Sequence, residues 1–296
     1  MIERVLIVGT GLIGASVGLA LRAAGFEGEI AGFDAIAAEL EAAREAAAID
    51  LFARSRDDAS ELACKADVIV LATPVHAILD WMGMLAPILT ENQLVTDVGS
   101  TKLHISQLAS QLFNQQGRAH FLPGHPMAGK ETGGAALAEA SLFRGAMWLF
   151  TPAADEETTV QETTVIETEW REWVARFGAR TLDLDAARHD ELCAWVSHLP
   201  QMLSTALAAL LEDTFGKDEA GRAEIAAIGG RALRETTRLG ASPYSMWRDV
   251  AMTNTEPVAA TLLALEQRLQ HIRENLRTPE LREEFHTANR FRAKPD

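Results

Sequence analysis

The first half of the chain alternates short apolar runs with segments that are rich in alanine and leucine. The run at residues 4–9 is continuous and β-branched, which is typical of a strand buried on both faces of a parallel sheet. Other apolar runs predict strands at 29–33, 67–72, 94–98, 120–122, 146–150 and 180–184. Helices are predicted between them, including 12–24, 35–46 and 156–177. Strands that alternate with helices predict βαβ units and an open parallel sheet.

The pattern changes near residue 185. Beyond this point we find no strand-like run, and helical segments rich in alanine and leucine continue to the end. We therefore predict an α/β domain over residues 1–185 and an all-helical domain over residues 186–296.

A glycine pattern lies at the turn between the first strand and the first helix. Residues 9–14 read GTGLIG, which places Gly9, Gly11 and Gly14 in the G-x-G-x-x-G spacing. The first glycine permits the tight turn, the second admits a pyrophosphate close to the backbone, and the third lets the helix pack on the strand. The helix that opens at Leu12 and Ile13 presents free N–H groups to a phosphate. The motif predicts a Rossmann-type dinucleotide site.

Three further residues fit the same site. Asp34 closes the second predicted strand, 20 positions after Gly14. A carboxylate at this place hydrogen-bonds the ribose hydroxyls and repels a 2′-phosphate, so the sequence favours NAD over NADP. Thr73 and Pro74 end another strand at the edge where ligands bind, and we expect them to flank the cofactor.

The composition and the net charge limit the kinds of partner that the protein is expected to bind. The 296 residues are 48% hydrophobic and 23% charged, which is typical of a globular protein, and the net charge of −15 disfavours nucleic acid and anionic membrane surfaces. Cys64 and Cys193 are too few for a disulfide framework or a zinc site, so we expect no metal and a reducing compartment. We find neither a targeting segment nor an apolar stretch of about 20 residues. These features predict a cytoplasmic protein that acts on a small molecule.

Three further patches of the sequence carry candidate chemical residues, and two of these residues, Ser100 and His125, are predicted to reach the dinucleotide crevice. Ser100 and His125 each follow a predicted strand, and His198 starts the inner layer of the helical half. A single histidine is more often a packed residue than a catalyst. One that lies between glycine and proline at a strand end of a dinucleotide fold, as His125 does, favours acid–base chemistry.

The motifs around these residues resemble those of the prephenate/arogenate dehydrogenases, the oxidoreductases of tyrosine biosynthesis. The resemblance covers nearly the whole chain and rests on several long motifs: GTGLIGAS at 9–16, ATPV at 72–75, DVGSTK at 97–102, PGHPMAGKE at 123–131, HDE at 189–191, SHLPQ at 197–201 and TTRLGASPYSMWRD at 236–249. It implies a Rossmann domain followed by a helical dimerisation domain. It also implies a homodimer, which the apolar segments at 203–211 and 258–269 favour.

The resemblance further implies the reaction. NAD+ would oxidise and decarboxylate prephenate to 4-hydroxyphenylpyruvate, with His125 accepting the hydroxyl proton and Ser100 binding the same hydroxyl beside the nicotinamide. Arg238 matches the arginine that holds a substrate carboxylate. The remaining assigned residues would bind or enclose the substrate: His198 at the side chain, Glu131 at the mouth, Trp247 as a wall, and Lys102 and Lys130 either attracting the dianion or lying on the surface.

The sequence departs from the family pattern at one position, and this departure leaves the identity of the substrate open. Members that prefer prephenate often carry histidine where this chain has Gln201. An amide both donates and accepts, so it could serve the keto acid or the amino acid. We favour prephenate, with arogenate dehydrogenase and a dual-specificity cyclohexadienyl dehydrogenase as alternatives.

Two other functions remain open. A β-hydroxyacid dehydrogenase would require a catalytic lysine in the second domain, where Lys217 and Lys294 lie in no suitable motif. A non-catalytic NAD sensor would require none of Ser100, His125 and Arg238.

Overall fold

The computed structural model describes residues 1–113, 116–130, 132–152 and 164–293. Within these ranges, the strands lie between Arg4 and Asp183. Those described are β1 (Arg4–Val8), β2 (Glu29–Phe33), β3 (Leu51–Phe52), β4 (Val68–Leu71), β5 (Leu94–Asp97), β6 (His120–Leu122), β7 (Gly124–Pro126), β8 (Met147–Phe150) and β9 (Arg180–Asp183).

Helices alternate with these strands and then continue alone. Those described are α1 (Leu12–Ala23), α2 (Ala37–Glu45), α3 (Arg56–Ala63), α4 (Val75–Leu85), α5 (Leu103–Leu112), α6 (Val165–Arg176), α7 (Ala186–Cys193), α8 (Leu199–Phe215), α9 (Glu219–Ile228), α10 (Arg231–Thr237), α11 (Tyr244–Thr253), α12 (Thr255–Glu274) and α13 (Glu280–Arg292). No helix in the described ranges is long and apolar enough to cross a bilayer.

The larger sheet is parallel and has the strand order β3-β2-β1-β4-β5-β6. This is the order of a doubly wound dinucleotide fold, so the Rossmann prediction is confirmed. Apart from the exposed Arg4, the side chains of β1 and β4 are buried in two apolar clusters, one on each face of the sheet. Because the strand order reverses between β1 and β4, a ligand crevice is expected outside their carboxyl ends.

The single open sheet expected from the sequence is wrong for the predicted strands at 146–150 and 180–184, which join a second sheet with β7, a short strand that was not predicted. β7 runs antiparallel to β8, which pairs in parallel with β9 to form a separate three-stranded sheet. The ladder of β6 ends where Pro123 provides no N–H, and the next N–H, that of Gly124, donates to Asp97 Oδ1 at 3.2 Å. This short antiparallel strand brings His125 to the carboxyl end of β5.

The change to an all-helical chain occurs at Asp185. Its side chain accepts hydrogen bonds from the N–H groups of Ala187 (2.9 Å) and Arg188 (3.0 Å), which caps α7. From α7 to α13 the described residues contain no strand. The helix predicted over 156–177 begins at Val165, and residues 156–163 of that prediction lie outside the described part of the chain.

Candidate active site

The glycine turn after β1 is crowded on one side and open on the other. Gly9 has a φ of +94°, and a Cβ there would lie 2.4 Å from the carbonyl oxygen of Ala72. A Cβ on Gly14 would lie 1.8 Å from the carbonyl oxygen of Gly9. Gly11, in contrast, has no neighbouring atom within 4 Å of such a Cβ. The turn therefore needs Gly9 and Gly14 for its own packing, and it leaves open space at Gly11 for a ligand.

Asp34 lies at the rim of this turn. Its Oδ2 accepts from the N–H of Thr10 at 2.8 Å, and its Oδ1 accepts from the N–H of Ile36 at 2.9 Å. Asp34 lines one cavity with Gly9, Gly11, Thr73 and Pro74. The two backbone contacts hold the carboxylate at the edge of this cavity.

A second cavity continues from the glycine turn toward the helical region. It is lined by the predicted cofactor residues together with helical residues: Gly11, Leu12, Ile13, Thr73, Pro74, Ser100, His125, Met246, Asp249 and Val250. The hydroxyl oxygens of Thr10 and Thr73 are buried without a hydrogen-bond partner. Unsatisfied hydroxyls beside a free helix N-terminus fit a phosphate-containing ligand such as NAD.

His125 is a buried side chain on β7, only 7% exposed. Its Nδ1 lies 2.9 Å from Nε2 of His189, and Nδ1 of His189 lies 2.8 Å from Oδ1 of Asp190. Burial, with the nearby His189 and Lys102, holds the pKa of His125 well below 6.5. The imidazole is therefore neutral at physiological pH and can accept a proton.

Lys102 is not at the mouth of the site. Its side chain is fully buried, and Nζ contacts Oδ2 of Asp97. Asp97 also accepts from the N–H groups of Gly99 (2.7 Å) and Gly124 (3.2 Å). Burial raises the pKa of Asp97 and lowers that of Lys102, while the pair opposes both shifts. Lys102 is therefore the buried partner of Asp97, the carboxylate that binds the loops carrying Ser100 and His125, and it is neither a surface lysine nor an exposed substrate attractor.

A third cavity adjoins the second at Ser100 and His125 and extends into the helical region. It brings together six residues that the sequence assigned to chemistry or substrate: Ser100, His125, His198, Gln201, Arg238 and Trp247. Arg238, an exposed residue, begins the short turn at 238–241. Lys130 also lines this cavity, with Nζ 3.2 Å from Oε1 of Glu139. Glu131 lies outside the described residues.

His198 forms the inner wall of this third cavity. Its Nδ1 lies 3.1 Å from Nδ2 of Asn254, and its ring packs edge-on against Trp247 with centroids 5.8 Å apart. Burial lowers the pKa of His198 to about 4. The ring is therefore neutral at pH 7 and contributes a polar but uncharged surface.

Gln201 is held by the protein at both ends of its amide. Nε2 donates to the carbonyl oxygen of Leu239 at 2.7 Å and to Thr205 at 3.1 Å, while Oε1 accepts from Ser242 at 3.3 Å. Two of these contacts reach the segment that begins with Arg238. Gln201 therefore connects α8 to the segment that begins with Arg238, in addition to lining the cavity.

His189 and Asp190 are the functional candidates that reasoning from the residues missed. Both are buried, and the N–H groups of Lys102 (2.7 Å) and Leu103 (2.9 Å) donate to the Asp190 carboxylate. The HDE motif at 189–191 was the available signal, but only the fold shows that it meets His125.

Comparison with known proteins places these features in a family. Residues 17–178 match the family model described as the nucleotide-binding domain of prephenate dehydrogenase, and residues 185–289 match its dimerization domain. The chain is 33% identical over 273 residues to a prephenate dehydrogenase of Lactococcus lactis, covering 92% of this chain and 70% of that one. It is 28% identical to a cyclohexadienyl dehydrogenase of Zymomonas mobilis, covering 88% of this chain and 84% of that one.

Solved structures agree with these matches. The prephenate dehydrogenase of A. aeolicus, in complex with hydroxyphenyl propionate and NAD+, has a TM-score of 0.82 at 26% identity and covers 98% of this chain and 95% of that one. The arogenate dehydrogenase of Synechocystis has a TM-score of 0.74 at 30% identity and covers 98% of both chains. The family resemblance and the NAD prediction are confirmed: the chain belongs to the prephenate dehydrogenase family, with a Rossmann domain for NAD and a helical dimerisation domain.

Proposed function

We propose that the protein catalyses the NAD-dependent oxidative decarboxylation of prephenate to 4-hydroxyphenylpyruvate. The observation that carries this proposal is that Ser100 and His125 line both the dinucleotide cavity and the cavity containing His198 and Arg238. A substrate hydroxyl at this junction can contact a proton acceptor while its carbon faces the nicotinamide.

The junction suits removal of a proton and a hydride from one carbon. Bound NAD+ supplies the acceptor for the C4 hydride. The free Nε2 of His125 takes the hydroxyl proton as the C4–H bond breaks, and Ser100 donates a hydrogen bond to the same oxygen. The bond to the ring carboxylate then breaks, and its electron pair completes the aromatic ring as CO2 leaves. The phenolate oxygen formed in this way takes the proton back from His125, which gives 4-hydroxyphenylpyruvate and restores the neutral imidazole. His125 suits this step because its depressed pKa keeps the acceptor nitrogen unprotonated at pH 7.

The other end of the substrate carries carboxylate charge. Arg238 supplies a guanidinium at the cavity wall, and its planar fork can bind a carboxylate through two hydrogen bonds. Trp247 and His198 form a flat, uncharged surface beside it. In this arrangement Arg238 binds a substrate carboxylate, and His125 accepts the hydroxyl proton.

The cavity walls favour prephenate over arogenate. The two substrates differ where a ketone replaces an ammonium, and among the described residues lining the third cavity none is acidic. With its pKa near 4, His198 is neutral and does not itself repel an ammonium, so the preference comes from the absent counter-charge. We expect kcat/KM at pH 7.5 to be at least about tenfold higher for prephenate, and NADH absorbance measures both. A tenfold preference for arogenate would reverse the assignment and direct attention to Glu131 or Gln201.

Asp34 is proposed to set the preference for NAD. Replacement with serine should lower the ratio of kcat/KM for NAD+ to that for NADP+ by at least roughly tenfold, because the ribose acceptor and the negative charge are both lost. Asp34→Asn is the matched control for charge alone, since its amide oxygen can still accept a backbone hydrogen bond. A ratio unchanged in both variants would exclude Asp34 from cofactor selection.

We also propose that the protein is a cytoplasmic homodimer assembled through its helical domain. The match to the family's dimerization domain supports this assembly. Apolar side chains on α8 and α12 are exposed in the single chain, among them Leu210 (63%), Leu263 (54%) and Leu269 (52%). Covering such residues with a second copy would remove apolar surface from water.

A further inference from the structure

We propose that His189 and Asp190 form a relay that fixes the tautomer of His125, so that its proton lies on Nδ1 and its lone pair on Nε2. The inference rests on the proposed role of His125 as proton acceptor. It assigns to His189 and Asp190 a positioning role that the Rossmann motif and the substrate cavity leave unexplained.

The contacts of Asp190, which lies at the end of the relay farthest from His125, determine the direction of each hydrogen bond. Asp190 Oδ1 already accepts from the N–H of Lys102 at 2.7 Å, and Oδ2 accepts from the N–H of Leu103 at 2.9 Å. A carboxylate held this way is an acceptor, so the His189 Nδ1 that lies 2.8 Å from Oδ1 must donate. A neutral His189 then has a lone pair on Nε2.

The lone pair on His189 Nε2 then determines which nitrogen of His125 carries the proton. His189 Nε2 lies 2.9 Å from His125 Nδ1, and a lone pair on the first nitrogen requires a proton on the second. Burial lowers the pKa of both rings, so each carries one proton. His125 Nε2 is left as the acceptor, and no partner within the described chain occupies it.

The surroundings of the relay agree with this arrangement. Besides the relay residues themselves, the titratable groups that act on the two rings are Lys102, Asp97, Cys193 and His198. Cys193 Sγ lies 3.6 Å from His189 Nε2, and burial raises the pKa of its thiol to about 12. The thiol is therefore protonated and is a second, weak donor toward the same lone pair. Since the relay also joins α7 to the start of α5, it forms only when the two parts of the chain are packed together.

A metal site is the alternative to the hydrogen-bonded relay. His125, His189 and Cys193 place ligand atoms within 4.8 Å of one another, close enough for one metal ion. A metal would require a thiolate and lone pairs on both facing nitrogens, whereas the buried thiol favours its protonated form. The hydrogen-bonded relay is the arrangement that these protonation states favour.

The tautomers can be measured without turnover. In the full chain labelled with ¹⁵N-histidine, the nitrogen shifts at about pH 7.5 should identify both His125 and His189 as Nδ1–H tautomers. Loss of signals in His125→Asn and His189→Asn assigns them. An Nε2–H tautomer at His125 in the wild type would overturn the proposal whatever the enzyme's substrate. Stoichiometric zinc in protein purified without chelator, lost in Cys193→Ala, would also overturn it in favour of a metal site.

Two variants at one position test the effect on catalysis. His189→Asn can still contact Asp190 but places no acceptor at the position of Nε2, so kcat should fall roughly tenfold with the KM for prephenate and NAD+ changed less than about twofold. His189→Gln can restore a carbonyl acceptor and should recover most of kcat. Cys193→Ala removes only the weak second donor to His189 Nε2 and leaves the 2.9 Å contact with His125 in place, so it should keep both the tautomer and kcat. Equal rates in the Asn and Gln variants would overturn the relay, whereas an unchanged His125→Asn would instead reject the proposed role of His125.

Discussion

Replacing His125 with asparagine is expected to lower kcat by roughly 10²–10⁴-fold, the usual effect of removing a positioned acid–base group. The side chain is buried at the junction of the two cavities, and its depressed pKa keeps it unprotonated. Asparagine retains polarity but has no basic nitrogen at the position of Nε2. Substrate binding should change little, because Arg238 and the Trp247 surface remain. Steady-state kinetics with prephenate and NAD+ separate the two parameters.

The pH profile provides the control for this prediction. Because the acceptor must be neutral, activity is lost on the acid side as pH falls through the pKa of His125. That pKa lies well below 6.5, so the wild-type kcat should stay on its plateau as pH falls to 6.5 and decline only below it. The residual activity of His125→Asn should lack this decline. An unchanged kcat in the variant, with thermal unfolding like the wild type, would show that another group accepts the proton.

Much of the site could be predicted because its residues lie in short contiguous motifs. Gly9, Gly11 and Gly14 specify their roles through spacing, since a turn and a helix N-terminus are local structures. Ser100 and His125 could be placed in one crevice because parallel strands end at a common edge. The helical second domain was likewise evident from the loss of strand-like runs after β9.

The remainder depends on contacts between distant parts of the chain, which spacing does not encode. Lys102 stands five residues after Asp97 in sequence, yet only tertiary burial shows that the two form an internal pair. Gln201 was expected at the substrate, and its amide also binds the turn 38 residues further on. His189 reaches His125 across 64 residues of sequence. A buried lysine and a solvated one have the same local pattern, so charge alone gave Lys102 the wrong location.

The second large effect is expected on substrate binding, when the arginine proposed to hold a substrate carboxylate is replaced. Arg238→Gln should raise the KM for prephenate by roughly 10–100-fold with a smaller change in kcat, because a charged hydrogen bond contributes about 1.5–3 kcal/mol and is already present in the bound ground state. Arg238→Lys keeps the charge without the planar fork, so its KM should lie between those of the wild type and the glutamine variant. The KM for NAD+ should not move in either variant, because Arg238 is absent from the residues lining the dinucleotide cavities.

Arg231→Gln is the matched control for this arginine. It removes the same charge from an exposed residue on the preceding helix, where Arg231 pairs with Glu235 and lines neither the substrate nor the cofactor cavity. A surface charge of this kind should leave the KM for prephenate within about twofold of the wild type, since exposed ion pairs contribute little. If Arg231→Gln raised KM as much as Arg238→Gln, long-range attraction of the dianion would explain the effect. If Arg238→Gln lowered kcat alone, the guanidinium would be stabilising charge that develops during decarboxylation, and its place would be beside the ring carboxylate.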